Sequence, residues 1–495
     1  MHILASEIRT LDETVEAVDL GQTPAEAVVL SFTDSDLALL AAAHERAGPN
    51  APTVRLARLA DLRHPYSVDL YVEAVARHAR VVVVRCLGGL DYWRYGVEEL
   101  AAAARRHGFA LAVLPGDAMA DGRLDEASTL GESDLRRLWG WFQAGGPDNA
   151  ASLLGWLSAH CGREAAWREP VALPAFGLFD EAARDGHAGP GEAPGDGAGA
   201  AATGAPRALL VFYRSLLHAA DTAPVVALAD ALAARGFTVR AAFVTSLKDP
   251  AVAEGLSSLL AGFSPDIVLN ATAFSARLGD GGTLLDAAGA PVLQVAFAAT
   301  FRDAWAASPR GLSAADFAMN VVLPEVDGRL FAGAVSFKAE SGRSEALQFT
   351  RIVHRPEPDA VALAADRAAG WARLRRRAAA ERRVALVLSD YPAKGGRTAY
   401  AVGLDGPASL AAIAADLAAA GYGVGPLPDP QTLVRTLEAG AATVRLPLAA
   451  YRALFAALPA AFRDAVTAAW GAPEADDACD GDAFTLRALV AGRLA

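Results

Sequence analysis

Asp390, Tyr391, Lys394 and Arg397 fall within one short loop, directly after the apolar run 383–388. A tyrosine ring offers a face for stacking, and lysine and arginine pair with carboxylates, arginine through two parallel hydrogen bonds. If 383–388 is a strand, this loop lies beyond its C-terminal end, where open α/β sheets bind ligands. The competing reading is a surface turn shaped by Pro392, Gly395 and Gly396. Arg302 and Trp305 stand in the same position after the run 292–297, with the same two readings. Tyr92, Trp93, Arg94 and Tyr95 cluster after the run 80–85, where packing or docking between domains comes first and ligand stacking second. His354 precedes Arg355 and Pro356 and could ligate a metal, although a lone histidine in a connecting segment is ordinarily structural. The remaining histidines are scattered, with His64, His78 and His107 near expected element ends. No GxxxxGK[ST], no strand-borne GxGxxG, no HExxH, no GxSxG and no EF-hand loop is present. These patterns assign no catalytic residue and no metal-ligand set.

The elements that must position these residues read as alternating strands and helices. Before residue 185 the candidate strands are 27–32, 53–56, 80–85 and 110–114, with helices near 35–44, 66–78 and 95–107 between them. The last helix ends on Arg105, Arg106 and His107, followed by Gly108 as its stop. The alternation predicts parallel sheets covered by helices on both faces. Segment 185–206 is rich in Gly, Pro, Ala and Asp and lacks periodicity; about 20 such residues span roughly 25 Å on average, as a flexible linker does. The pattern then restarts with strands at 208–213, 238–245, 266–270 and 292–297 and a helix at 225–235. A third start falls at 383–388. Segments 207–243 and 383–424 form a weak repeat, with Leu228, Leu232 and Phe237 as the buried side of the first and Leu410, Ile413, Leu417 and Tyr422 of the second. The expected organisation is α/β, with several doubly wound parallel-sheet units: 1–184, a linker at 185–206, 207–355, a helical connector at 356–382, and 383–495. Arg373, Arg375, Arg376 and Arg377 in the connector read as a solvated helix face.

Composition narrows the classes. The chain has 495 residues, enough for roughly three domains. Hydrophobic residues make up 53% and charged residues 21%, which excludes a disordered chain. The net charge of −12 argues against a nucleic-acid footprint, which would be basic. Three well-separated cysteines, Cys86, Cys161 and Cys479, suggest unpaired thiols and not a disulfide framework. No apolar run is long enough to span a membrane, and the first residues lack the apolar core of a signal peptide. The protein is therefore read as cytoplasmic, with small molecules and other proteins as partners.

Three stretches carry more than composition. They are RHPYSVDLYVEAVARHARVVVVRCLGGLDYWRYGVEEL (63–100), AWAASPRGLSAADFAMNVVLPEVDGRLFAGAVSFKA (304–339) and LSDYPAKGGRTAYAVGLDGPAS (388–409). The runs LPEVDGR (323–329) and GLDGPAS (403–409) are the most diagnostic. On these stretches the chain resembles the N-terminal half of the CobN-type large subunits of aerobic cobaltochelatase, in the broader family that includes the porphyrin-binding subunit of magnesium chelatase. The resemblance covers the chain outside the linker.

It implies ATP-dependent insertion of cobalt(II) into hydrogenobyrinic acid a,c-diamide, a corrin precursor, in cobalamin biosynthesis. The large subunit of the family binds macrocycle and metal. ATP, with Mg, is hydrolysed by an AAA+ ATPase subunit acting with a second chelatase subunit, in keeping with the missing P-loop here. In that setting Tyr391, Trp305, Asp390, Lys394, Arg397 and Arg302 become candidates for macrocycle binding. Such a reaction needs a base for the inner N–H protons and a cavity whose rim pairs with peripheral carboxylates. One departure stands out: nothing in 1–495 matches the family's histidine- and glutamate-containing HGxxEWLPGK-like segment. Phe484, Leu486, Ala488 and Val490 alternate as in a strand at the end of the sequence. The expectation is a fragment lacking the catalytic core and unable to chelate alone. Asp390, where the family more often has Asn, and Gly406, where it often has Thr, are smaller departures. The alternatives are a magnesium-chelatase-type porphyrin-binding subunit and a non-catalytic binding or scaffold module.

Overall fold

The structure, a computed structural model, describes residues 16–117, 119–179, 204–279, 281–388, 399, 403–439 and 443–487. Two compact units divide the chain, Met1–Ala372 and Arg373–Ala495.

Two sheets build the first unit. The first holds four parallel strands in the order β2-β1-β3-β4: β1 (Ala27–Ser31), β2 (Val54–Arg58), β3 (Val81–Cys86) and β4 (Ala110–Pro115). Every residue of β1 and β3 is buried, as near-continuous apolar strands covered on both faces must be. Side chains alternate between the faces. Val28, Leu30, Val82 and Val84 pack with Tyr71 and Leu100 of helices Pro65–Ala74 and Arg94–His107. Val29 and Val83 pack with Leu37 of helix Asp34–Ala47, Trp141 of Glu132–Ala144 and Leu153 of Pro147–His160. Helix Arg94–His107 closes as its sequence predicts: Gly108 is left-handed (φ +78°) and its N–H donates to Ala104 O at 2.8 Å.

The second sheet has seven strands in the order β11-β10-β9-β8-β6-β7-β5. These are β5 (Phe176–Phe179), β6 (Arg207–Tyr213), β7 (Thr238–Val244), β8 (Ile267–Asn270), β9 (Val292–Phe301), β10 (Leu330–Ser344) and β11 (Phe349–Pro356). Strands β6 to β10 run parallel, while β5 and β11 close the two edges antiparallel. Helix Ala223–Ala233 covers one face and helix Pro250–Phe263 the other. Leu228, Leu232 and Phe237 are buried, as their spacing predicts. The turn between β10 and β11 ties the sheets together: Leu347 and Phe349 enter the first sheet's core. Arg55 Nη1 donates to Ala346 O at 2.9 Å, and Arg58 Nη2 to Thr350 O at 3.0 Å.

Glu26, just before β1, accepts both terminal nitrogens of Arg163 at 2.7 Å. That pairing, with a further bond from Thr53 N–H, overcomes partial burial and pulls the Glu26 carboxyl down to about 2. In the unfolded chain it returns to an ordinary value near ~4.3. Its contribution is therefore complete above that value and fades as pH falls through the folded-state value. Glu26→Gln should leave acid unfolding less steep between about pH 4 and 2. An unchanged acid limb, followed by circular dichroism, would contradict the pairing.

The second unit departs from the expected third parallel repeat. Its three-stranded sheet is antiparallel, in the order β12-β14-β13, with β12 (Thr443–Pro447), β13 (Cys479–Asp480) and β14 (Ala483–Arg487). The run 383–388 is not a strand: residues 382–388 have no regular structure, and Val387 is 92% exposed. Helix Gly406–Ala419 does form, yet Ile413 is exposed and Leu410, Leu417 and Tyr422 are only half-buried. The alternation at 484–490 is a strand as far as Arg487, and Ala488 and Val490 lie outside the described residues. Arg373, Arg375, Arg376 and Arg377 are exposed, as expected of a solvated face. No helix among the described residues is long and apolar enough to cross a membrane.

Candidate functional site

The site lies where β9, β10 and β11 run side by side. Phe301 pairs with Lys338, and Lys338 with His354, so the register sets an aromatic ring, an ammonium and an imidazole in one row across three strands. Arg302 and Trp305 follow directly, on the short helix Arg302–Ala307.

The structure brings the two predicted residues of this loop together. The Arg302 guanidinium lies 5.3 Å from the centre of the Trp305 ring. Trp305 in turn sits 4.9 Å from the ring of Phe337, which is buried in the sheet. Glu357, at the end of β11, pairs with Arg302 at 3.2 Å and holds its charge in place. The Arg302 side chain stays 46% exposed, so its outer face is open to a ligand's carboxylate. Phe337 and Glu357 carry no signal of their own in the sequence; only the strand pairing places them here.

His354 forms a second group. Its Nδ1 lies 2.9 Å from Asp221 Oδ2, and its backbone N–H donates to Asp221 Oδ1 at 2.9 Å. Lys338 Nζ is 3.5 Å from the same carboxylate. Burial works against the Asp221 charge, but the bond and charge of His354, with Lys338, outweigh it and hold the carboxyl below its ordinary value. A carboxylate that fixes one imidazole nitrogen leaves the other to accept or deliver a proton. Among the described residues no group of three or more His, Cys, Asp or Glu is placed to hold a metal ion, and the cation beside Asp221 is the chain's own lysine.

At the other end of β9 and β10 lies a buried polar network that includes two residues of the LPEVDGR run. Arg329 Nη2 is 3.0 Å from Asp327 Oδ2, with side chains 2% and 0% exposed. Asp327 also accepts the Ser275 hydroxyl and the Ala276 N–H, each at 2.6 Å. Arg329 Nη1 donates to Gln294 Oε1 at 3.3 Å, and Asn270 Nδ2 to the same oxygen at 2.7 Å. Asn270 ends β8 and Gln294 pairs with it on β9, so the network pins the loop after β8 to the start of β10. Its groups are turned inward, so its role is structural.

Asp390, Tyr391, Lys394 and Arg397 lie outside the described residues. Cys86 is buried and burial pushes its thiol up to about 12, which makes it an inert core group. Cys161 is buried as well, and Cys479 is partly exposed.

Parallel sheets with ligand-competent loops at strand ends define a broad class of binding proteins, and the comparisons narrow it. The family model for CobN/Magnesium Chelatase matches residues 139–495, and the chain belongs to that family. It is 41% identical to an aerobic cobaltochelatase subunit CobN from Sinorhizobium sp, over 98% of this chain and 39% of the relative. It is 37% identical to the aerobic cobaltochelatase subunit CobN of Pseudomonas aeruginosa, over 96% and 39%. A magnesium-chelatase subunit from Rhodobacter capsulatus is 26% identical, over 73% of this chain and 32% of the relative. Among solved structures, the catalytic subunit of cobaltochelatase from Mycobacterium tuberculosis aligns with a TM-score of 0.70 and 29% identity, over 94% of this chain and 38% of that one. The chain thus spans about two fifths of the length of the CobN relatives it matches.

Proposed function

We propose that this chain works as part of the large subunit of an ATP-dependent cobaltochelatase, which inserts cobalt(II) into hydrogenobyrinic acid a,c-diamide in cobalamin biosynthesis. The observation that carries the reading is the 41% identity to an aerobic cobaltochelatase subunit over 98% of this chain. The magnesium-chelatase relative, at 26% identity over a shorter span, supports the alternative less.

In this reading Trp305 stacks on the corrin precursor and Arg302 pairs with a carboxylate at its edge. His354, held by Asp221 on the opposite face of the strands from the Trp305–Phe337 contact, is a separate candidate base. Cobalt is a substrate. ATP and Mg are used by an AAA+ partner subunit acting with a second chelatase subunit, and the complex works in the cytoplasm. Asp390, Tyr391, Lys394 and Arg397 remain proposed macrocycle contacts on the strength of the resemblance alone.

The test is a titration of the chain with hydrogenobyrinic acid a,c-diamide, followed by quenching of its 8 tryptophans. Arg302→Ala and Trp305→Phe should each weaken binding by about tenfold, the scale of one lost charged hydrogen bond or stacking contact. Equal affinity in both variants would remove these residues from the macrocycle site.

A further inference from the structure

An open cavity of about 400 Å³ lies between the residues that follow β2 and those that follow β3. Arg63, Tyr92, Trp93, Arg94, Tyr95 and Leu59 line it. This is the aromatic cluster for which packing is the first expectation from sequence. Only Trp93 is packed: it is 7% exposed, and its Nε1 donates to Leu62 O at 2.8 Å. Its ring lies so close over Gly96 that a Cβ there would come within 2.2 Å. Tyr92 and Tyr95 instead remain 38% and 40% exposed.

Part of the wall is held in place. Gly88 and Gly89 turn the chain at φ +72° and +80°, and Leu90 N–H donates to Asp121 Oδ2 at 3.1 Å. The Tyr95 hydroxyl donates to Asp69 Oδ1 at 2.7 Å. Arg94 pairs with Asp91, which also holds Arg123 at 3.0 Å. Arg63 differs: its guanidinium has no hydrogen bond or ion pair with any described residue. A concave site with two exposed tyrosines, one of them held by Asp69, and one uncommitted cation suits a flat ring with a negative group.

We propose that this cavity binds a planar conjugated ring carrying an anionic group, with the ring stacked against Tyr92 and Tyr95 and the anion paired with Arg63. An adenine nucleotide and a carboxylated tetrapyrrole share that chemistry. The cavity uses none of the residues of the Arg302 corner, so the two sites can fail separately.

The experiment titrates the full chain with ADP, protoporphyrin IX and protoporphyrin IX dimethyl ester, by calorimetry and tryptophan fluorescence. ADP or protoporphyrin should bind, and Arg63→Ala and Tyr92→Ala should each weaken that ligand by about tenfold or more. Both side chains are exposed, so both variants should keep the parent melting temperature. Dependence on Arg63 for ADP identifies a nucleotide. For protoporphyrin, the dimethyl ester should bind equally to the parent and to Arg63→Ala. No binding of either ligand, or affinities unchanged in both variants, would overturn the proposal. Protoporphyrin binding that falls only in Arg302→Ala would overturn it while leaving the Arg302 corner intact. Corrin binding indifferent to Arg302 and Trp305, beside a ligand that still depends on Arg63, would remove the corner and leave the cavity.

Discussion

Arg329→Leu should lower the stability of the first unit by about 3–5 kcal/mol, the cost of breaking a buried ion pair from one side. Asp327 would remain at 0% exposure with no counter-charge, held by only the Ser275 hydroxyl and the Ala276 N–H. Gln294 Oε1 would lose one of its two donors, although Asn270 would still reach it. Burial already presses the Arg329 guanidinium toward its neutral form, with Asp327 opposing, so the pair is retained at a cost in desolvation. The double variant Asp327→Asn with Arg329→Leu should therefore recover part of the loss, because no unpaired charge is left inside. Urea unfolding measures both. A single-variant loss below about 1 kcal/mol, the range of an exposed pair, would mean that the pair is wet.

Phe212→Ala should cost about 3–5 kcal/mol, as truncation of a fully buried phenylalanine does. Phe212 lies on β6 in the interior of the second sheet and is 0% exposed. Its ring meets Phe179 edge-to-face, with centroids 5.6 Å apart and planes at 85°. Phe179 ends β5, the antiparallel edge strand paired with β7. The cavity should therefore loosen that edge first. Amides of β5 should exchange with solvent faster than those of β7. Uniform exchange across the sheet would show that β5 does not depend on this contact.

The core strands were legible because their sequences leave little choice. VVVVRC and RALLVFY are apolar runs that only a covered sheet can hold, and β1, β3, β6 and β9 appear where those runs predict them. The run 383–388 has the same composition but no partner strand among the described residues, and a strand exists only through its neighbours. Pairings between distant residues were illegible for a similar reason. Asp221 and His354 are 133 positions apart, and Gln22 donates to Gln348 O across 326. Nothing in either local sequence announces its partner. The place of Arg302 and Trp305 just after β9 was legible because position beyond a strand end is a local signal. Glu357, which pairs with Arg302, and Lys338 and Asp221, which flank His354, were not. The LPEVDGR run stood out as a resemblance, and the fold supplies a physical reason for Asp327 and Arg329: they form a buried, inward-facing pair that ties the loop after β8 to the start of β10.

Corrin recognition is the central claim, and it is tested most directly by titrating this chain in parallel with hydrogenobyrinic acid a,c-diamide and protoporphyrin IX. The corrin precursor should bind more tightly, and its affinity alone should fall in Arg302→Ala. Tighter binding of protoporphyrin at the same corner, or no corrin binding at all, would contradict a role in cobalt insertion.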